Sequence, residues 1–367
     1  MCTESKENSM LDDVLLMGPG PSNAYPEVLE AMSQPLLGHL DHQFLELLDD
    51  TNARLRTLFC TSNQLTFPVS GTGSAGMEAG FVNLVHPGDV VVVGVNGVFG
   101  KRMVEVAERK GAQVIPVEFE WGAPVDADRL LSAHPDPAMI ALVHAETSTG
   151  VRSDVAQIGA EKGNALLFLD CVTSLGGIPV EIDDWGVDVA YSGTQKCIGV
   201  PPGLSPFTIN ERAMERLVDR PTSWYLDLNL IGGYVGEGAR QYHHTAPISM
   251  VYGLHAGLGV ILEEGISSCH ARHASVGAAL QERVQELGFE LFAQEGHRLP
   301  ELTTVVVPEH LQPIEAEIRS RLRSEYLIEV GGGLGPVTGK VWRVGLMGGS
   351  ARPESVDRFI GALSAVI

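Results

Sequence analysis

Short apolar runs alternate along this chain with segments of helical spacing, and that alternation limits the folds open to it. β-branched or apolar stretches recur at 90–93, 114–119, 139–144, 165–170 and 187–191, and residues 101–110 and 127–133 between them carry helical patterns. Strands joined by crossover helices predict an α/β fold with a mostly parallel sheet. Ligands of such sheets lie beyond the carboxyl ends of the strands, which is where Ser148, Asp170 and Lys196 fall.

Helical spacing also marks residues 26–32 and 44–59, where Phe44, Leu47, Leu48, Leu55 and Leu58 make one face. After a helical stretch at 253–265 the pattern changes. A helix over 271–287, a strand at 302–307, a helix near 314–324, a strand at 341–346 and a last helix over 353–366 predict a smaller α+β unit. The expected division is an N-terminal arm (1–21), a large domain (22–262) and a small C-terminal domain (263–367), which suits a chain of 367 residues. Residues 15–23 are rich in Gly and Pro and are expected to lie across a pocket or a partner subunit.

Bulk properties exclude several function classes. The formal net charge of −21 argues against a nucleic-acid partner, which needs clustered Lys and Arg. No apolar run reaches the roughly 18–20 residues of a membrane span. The first residues are polar, unlike a secretory signal, and the last three are not a Ser-Lys-Leu address. Five scattered cysteines suit a reducing cytoplasm better than a disulfide framework or a zinc site.

Lys196 stands apart from the other basic residues. It follows the apolar run at 187–191 and Ser192-Gly193-Thr194, and precedes Gly199, Pro201, Pro202 and Gly203, which break regular structure. A lysine partly desolvated in such a loop loses its proton readily and can bond to a carbonyl carbon, whereas an ordinary loop lysine only caps a strand.

Residues 70–76 read Ser-Gly-Thr-Gly-Ser-Ala-Gly and lead into a helix through Met77 to Val85, so their amides and hydroxyls form a phosphate cradle. Gly71, Gly73 and Gly76 also satisfy the dinucleotide pattern G-x-G-x-x-G. That reading wants an acidic residue closing the second strand; Asp89 opens it instead, so one phosphate monoester fits better. Asp170 ends an apolar strand, as an N-cap or as a buried carboxylate needing a positive partner. A protonated pyridine nitrogen would be such a partner. Cradle, strand-end aspartate and following lysine together describe anchors for pyridoxal 5′-phosphate.

Five separated motifs carry a family resemblance from about Leu15 onward: Gly18-Pro-Gly-Pro-Ser-Asn23, Asp170-Cys-Val-Thr-Ser-Leu-Gly-Gly177, Ser192-Gly-Thr-Gln-Lys196, Tyr242-His-His-Thr245 and Gly335-Pro-Val-Thr-Gly-Lys-Val-Trp-Arg343. In this order they resemble the fold-type I, class V aminotransferases, and within them the alanine–glyoxylate / serine–pyruvate branch. The resemblance implies a large domain with a mainly parallel seven-stranded sheet, a smaller C-terminal domain, and a cytoplasmic homodimer. Lys196 would carry the cofactor covalently and Asp170 would pair with its ring nitrogen. Val172 and Phe99 would cover the two ring faces, and Ser148 and Gln195 would bond around the ring hydroxyl. Thr72, Gly73 and Ser74 would hold the phosphate, joined by Tyr242 and Thr245 from the neighbouring subunit. Arg343, with Gly20 and Ser148, would bind substrate, and a planar guanidinium is a natural bidentate clamp for a carboxylate. Liver-type members have His at the position of Ser74 and Trp at that of Phe99, which leaves the substrate pair open.

The implied reaction moves an amino group from alanine or serine to glyoxylate or pyruvate, with ping-pong kinetics. Same-fold alternatives use ureidoglycine, pyridoxamine or an aminophosphonate as donor. Cys197, beside Lys196, raises a lyase or desulfurase reading, although the nucleophilic cysteine of that branch lies on a distant loop. A non-catalytic cofactor-binding regulator is the remaining class; the chain shows no helix-turn-helix or basic patch. His243 and His244 point to opposite faces if extended, and His270-x-x-His273 has no third ligand, so no metal is expected.

Overall fold

A computed structural model describes residues 11–236 and 240–367. Seven strands form the large sheet: β1 (Leu65–Ser70), β2 (Val90–Val95), β3 (Gln113–Glu118), β4 (Met139–Val143), β5 (Leu166–Asp170), β6 (Val189–Tyr191) and β7 (Leu204–Ile209), in the spatial order β1-β7-β6-β5-β4-β2-β3. All neighbours are parallel except β7, which runs antiparallel to both β1 and β6. The α/β class and the mainly parallel seven-stranded sheet therefore hold. Side-chain alternation divides the sheet between two cores. Val92, Ile140, Leu142, Leu167, Leu169 and Ala190 face one, and Val91, Val93, Met139, Ala141, Phe168 and Val189 face the other. Burial on both faces is why the parallel strands read as continuous apolar runs.

The helices that matter to the site are α1 (His42–Leu58), α2 (Gly73–Leu84), α3 (Val98–Arg109), α4 (Ile248–Glu264), α5 (Ile266–Glu286), α6 (Glu315–Tyr326) and α7 (Pro353–Val366). Helix α2 starts earlier than its apolar pattern suggests, because small residues at 73–76 are helical too. Two sheet members escaped the sequence reading. Residues 65–70 read only as a lead-in to α2, and Gly199, Pro201, Pro202 and Gly203 read as breakers although β7, with Pro206 inside it, follows at once. Pro206 lies opposite Pro68 on the edge strand β1, where a missing N–H on the open side costs little.

A second sheet of four strands, β8 (Glu290–Leu291), β9 (Leu302–Val306), β10 (Gly331–Gly332) and β11 (Val341–Gly345), takes the order β8-β9-β11-β10. With α5, α6 and α7 it encloses a third core that contains Trp342, Phe359 and Met17. Residues 15–16 pair with Ile328 and Glu329, so the start of the described chain is built into this C-terminal unit. The chain then crosses to the large sheet: the Ser22 amide donates to the Gln195 carbonyl (2.9 Å) and the Ser22 hydroxyl to that of Lys196 (2.8 Å).

Gly345 sits where the two units meet. Its amide donates to the Met17 carbonyl at 2.8 Å, and a Cβ on it would lie 2.2 Å from the Gly18 carbonyl oxygen. Because that obstacle is backbone, Gly345→Ala is expected to cost about 1–3 kcal/mol through overpacking. Thermal unfolding checks this, and an unchanged melting temperature would contradict the close approach.

Candidate active site

The site lies where β4, β5 and β6 end. Val143, Asp170 and Tyr191 are in register across these strands, so the terminal side chains share one sheet edge. Lys196 follows β6 and is 6% exposed; its ammonium donates to the Pro19 carbonyl. Burial lowers its pKa to about 8, opposed by neighbouring Cys197 and reinforced by the Arg343 guanidinium. Gly20 packs on it: a Cβ there would lie 2.6 Å from Lys196 Nζ, and its φ of +110° also requires glycine.

Asp170 is 2% exposed. Burial raises its pKa to about 6; bonds from the Tyr191 hydroxyl and the Val172 amide pull it down, Glu146 raises it and Lys196 lowers it. The Tyr191 hydroxyl donates to Oδ2 and the Val172 N–H to Oδ1 at 2.8 Å. Among the described residues no arginine or lysine forms an ion pair with it.

At the start of α2, Thr72 is the cap residue and makes no side-chain cap bond, and Thr72 and Ser74 are exposed. Among the described residues the Gly73 and Ser74 amides have no bonding partner, while the Ala75 amide donates to the Thr72 carbonyl (2.7 Å); Val172 Cγ2 would be 3.0 Å from a Cβ on Gly73. The Arg102 guanidinium donates to Ser74 Oγ (3.3 Å) and lies 4.8 Å from the Phe99 ring centroid. It adds positive charge where an anion would sit. Gln195 Oε1 is buried with no bonding partner among the described residues.

Ser148 is fully buried and already committed. Its hydroxyl donates to Glu146 Oε1 (2.6 Å) and accepts from the Val98 amide (2.9 Å), so any further bond it makes must be as an acceptor. Arg343, on β11, is 7% exposed and donates to the Gly332 carbonyl (2.9 Å) and the Thr147 carbonyl (3.4 Å). Burial lowers its pKa to about 10, against the pull of Glu146. No carboxylate pairs with it among the described residues, so its charge is available to an anionic ligand.

Tyr242 and Thr245 do not join this group. Both are exposed and bond to each other (3.2 Å), and Tyr242 lies against His39. The histidines between them anchor the segment. His243 Nε2 donates to the Trp224 carbonyl (3.0 Å), so in the neutral pair His243 Nδ1 accepts from His244 Nδ1 (2.9 Å) and His244 Nε2 accepts from Ser70 Oγ (2.8 Å). The segment is thereby tied to the end of β1, just before the phosphate cradle.

The class V aminotransferase family model ("Aminotransferase class-V") matches residues 14–337. The chain belongs to that family. Its members are pyridoxal 5′-phosphate-dependent transaminases, and the residues here fit that cofactor: a buried carboxylate without a cation, a lysine amine of depressed pKa, free helix amides and an unpartnered Gln195 oxygen. The alanine–glyoxylate aminotransferase of Oryctolagus cuniculus is 38% identical over 360 residues, covering 95% of this chain and 91% of that protein. The (S)-ureidoglycine–glyoxylate transaminase of Bacillus subtilis is 36% identical over 378 residues, covering 96% and 90%. A solved structure of an alanine–glyoxylate aminotransferase from Nostoc sp. superposes with a TM-score of 0.95 at 47% identity, covering 100% of this chain and 97% of that one.

Three residues around Asp170, Ser148 and Ser74 were not singled out in the sequence: Tyr191 ends an apolar run, Glu146 lies outside the named motifs, and Arg102 falls within a helical stretch. A glutamate with no charged neighbours in sequence was the one available signal. Cys197 bonds to the Thr173 carbonyl (3.3 Å), and burial raises its pKa well above that of a free thiol, which disfavours a thiolate nucleophile.

With Lys196 titrating near 8, the rate at which apoenzyme combines with pyridoxal 5′-phosphate should rise with pH and level off above about 8. Stopped-flow absorbance across pH 6–10 measures it. A midpoint near the 10.5 of an ordinary lysine would contradict the burial of the amine.

Proposed function

We propose that this aminotransferase moves an amino group from a small amino acid, alanine or serine, to glyoxylate or pyruvate. The observation that carries the reading is the buried Arg343 guanidinium, which pairs with no carboxylate among the described residues and whose charge is felt at Lys196, because every substrate of such a reaction brings a carboxylate. The names of its relatives support the substrate class: two are alanine–glyoxylate aminotransferases. The ureidoglycine–glyoxylate transaminase, at 36% identity, supports a second reading with the same acceptor and another donor.

When bound, pyridoxal 5′-phosphate supplies an electron sink for the charge left at the substrate Cα after its proton departs. Lys196 would be the covalent anchor and, once released, the base that would hold and move the substrate Cα proton. An amine with a pKa near 8 is suited to both directions of that transfer. Asp170 keeps the ring nitrogen protonated, and the Tyr191 hydroxyl holds the carboxylate in place. Val172 and Phe99 cover the ring faces. Gln195 and the remaining lone pair of Ser148 meet the ring hydroxyl. Thr72, Gly73 and Ser74 bind the phosphate, and Gly20 with Arg343 borders the substrate.

The active unit is a homodimer in which Tyr242 and Thr245 reach the neighbouring phosphate site; their exposure on an anchored segment supports this. The third core and second sheet support a C-terminal domain over residues 263–367 beside a large domain over 22–262; of the expected arm, residues 1–10 lie outside the described residues, and residues 15–17 join the C-terminal unit. A cytoplasmic location is consistent with four free thiols, Cys60, Cys171, Cys197 and Cys269. Among the described residues no helix is long and apolar enough to cross a membrane.

A half-reaction scan tests the substrate reading: alanine or serine, added singly to holoenzyme, should bleach its visible absorbance, and glyoxylate or pyruvate should restore it. Bleaching by ureidoglycine alone would move the assignment to the second reading. Lys196→Ala should abolish turnover. Arg343→Gln should keep the cofactor spectrum but lower kcat/KM about 10- to 100-fold, the worth of charged hydrogen bonds.

A further inference from the structure

Glu146 is the least expected group near the site. It is fully buried, forms no ion pair among the described residues, and receives four hydrogen bonds. Oε1 accepts from the Ser148 amide (3.0 Å) and hydroxyl (2.6 Å), and Oε2 from the amides of Phe99 (3.1 Å) and Gly100 (3.3 Å). Phe99 and Gly100 are in the first turn of α3, a twelve-residue helix whose positive end favours an anion. Gly97 makes room for the carboxylate: a Cβ there would lie 2.4 Å from Glu146 Cδ and from Ser148 Oγ.

Three of the four donors on the carboxylate are backbone amides that cannot accept, so a proton on Glu146 could be shared only with the Ser148 hydroxyl, which would have to give up its own bond to Oε1. Burial raises its pKa and the four bonds pull it back only in part, while the three amide donors favour the ionised form. Its charge acts on Lys196 and Asp170, whose pKa values it raises, and on Arg343, whose guanidinium it stabilises.

We propose that Glu146 is a positioning residue for this site, holding Phe99 and Ser148 against the cofactor and supplying negative charge that faces Lys196 and Arg343. This rests on the reading of Lys196 as the cofactor lysine. Simple bracing of α3 would leave the proton affinity of the lysine untouched, and that difference separates the two roles. Nor does Glu146 act as an acid or base, since its oxygens are directed at backbone and hydroxyl donors.

The test uses holoenzyme of the wild type, E146Q and E146D. Glutamine keeps the shape, removes the charge and turns one amide group toward donors. E146Q should lower the pH midpoint of the holoenzyme's visible absorbance change by about half a unit or more, because a buried negative charge that favours a proton on the cofactor-bonded Lys196 nitrogen is gone. It should also raise the Kd for pyridoxal 5′-phosphate about tenfold, the cost of donors left unmatched. E146D keeps the charge, so its midpoint should stay near wild type while its shorter reach weakens cofactor binding. E146Q with bound cofactor and an unmoved midpoint would overturn the proposal. If E146Q does not fold, E146D decides: wild-type cofactor affinity overturns the proposal, and weakened affinity at an unmoved midpoint supports it. A Lys196→Ala protein that retains the wild-type spectrum and its pH dependence would refute the lysine assignment instead, a result distinct from failure at Glu146.

Discussion

Desolvation of opposite charges in one pocket governs the chemistry of this molecule. Water is excluded from Lys196 and from Asp170, and the same exclusion moves their proton affinities toward each other, to about 8 and about 6. Neither group would be useful at its ordinary value: the lysine would hold its proton too tightly, and a solvated carboxylate would pair weakly with a ring nitrogen. Two further buried charges, Glu146 and Arg343, modulate that balance. Burial of charges without ion pairs is expensive, and the chain limits the cost with directed hydrogen bonds: Tyr191 and Val172 on Asp170, backbone carbonyls on Arg343, and four donors on Glu146.

The scaffold that excludes water comes from both ends of the chain. The segment around Pro19 and Gly20 lies directly on Lys196, and it is held by Met17 in the C-terminal core and by Ser22 on the loop after β6. Arg343 enters from the small sheet and touches the Thr147 carbonyl of the large one. The site is therefore a seam between two units, and small movements across it would change both the hydration of the lysine and the reach of the arginine.

Much of the sheet was legible in the sequence because parallel strands buried on both faces announce themselves as short apolar runs. Five of seven were read that way. The two missed, β1 and β7, contain prolines, and local propensity argues against strands there; pairing between them and with β6 overrides it. The positions of Asp170 and Lys196 beyond strand ends were readable from the same runs. Ser148 was placed correctly at the sheet edge, but that its only proton goes to Glu146 was not visible, since the bond depends on how a two-residue step folds back. The proposed role of Tyr242 and Thr245 rests on a resemblance alone, because exposed residues of this kind have no local signature of function.

By itself, then, the chain's pattern determined an α/β sheet, a helix start made of small and hydroxyl-bearing residues, and a lysine and aspartate at neighbouring strand ends. Those follow from periodicity and punctuation, which act over a few residues. Tertiary structure alone decided which groups are dry and what they face: Gly20 against Lys196, Tyr191 on Asp170, Glu146 between Phe99 and Ser148, and Arg343 beside Thr147. The physical reason is that proton affinity and hydrogen-bond partnership depend on atoms brought together across 177 positions in one case and 196 in another, a distance over which local sequence carries no information.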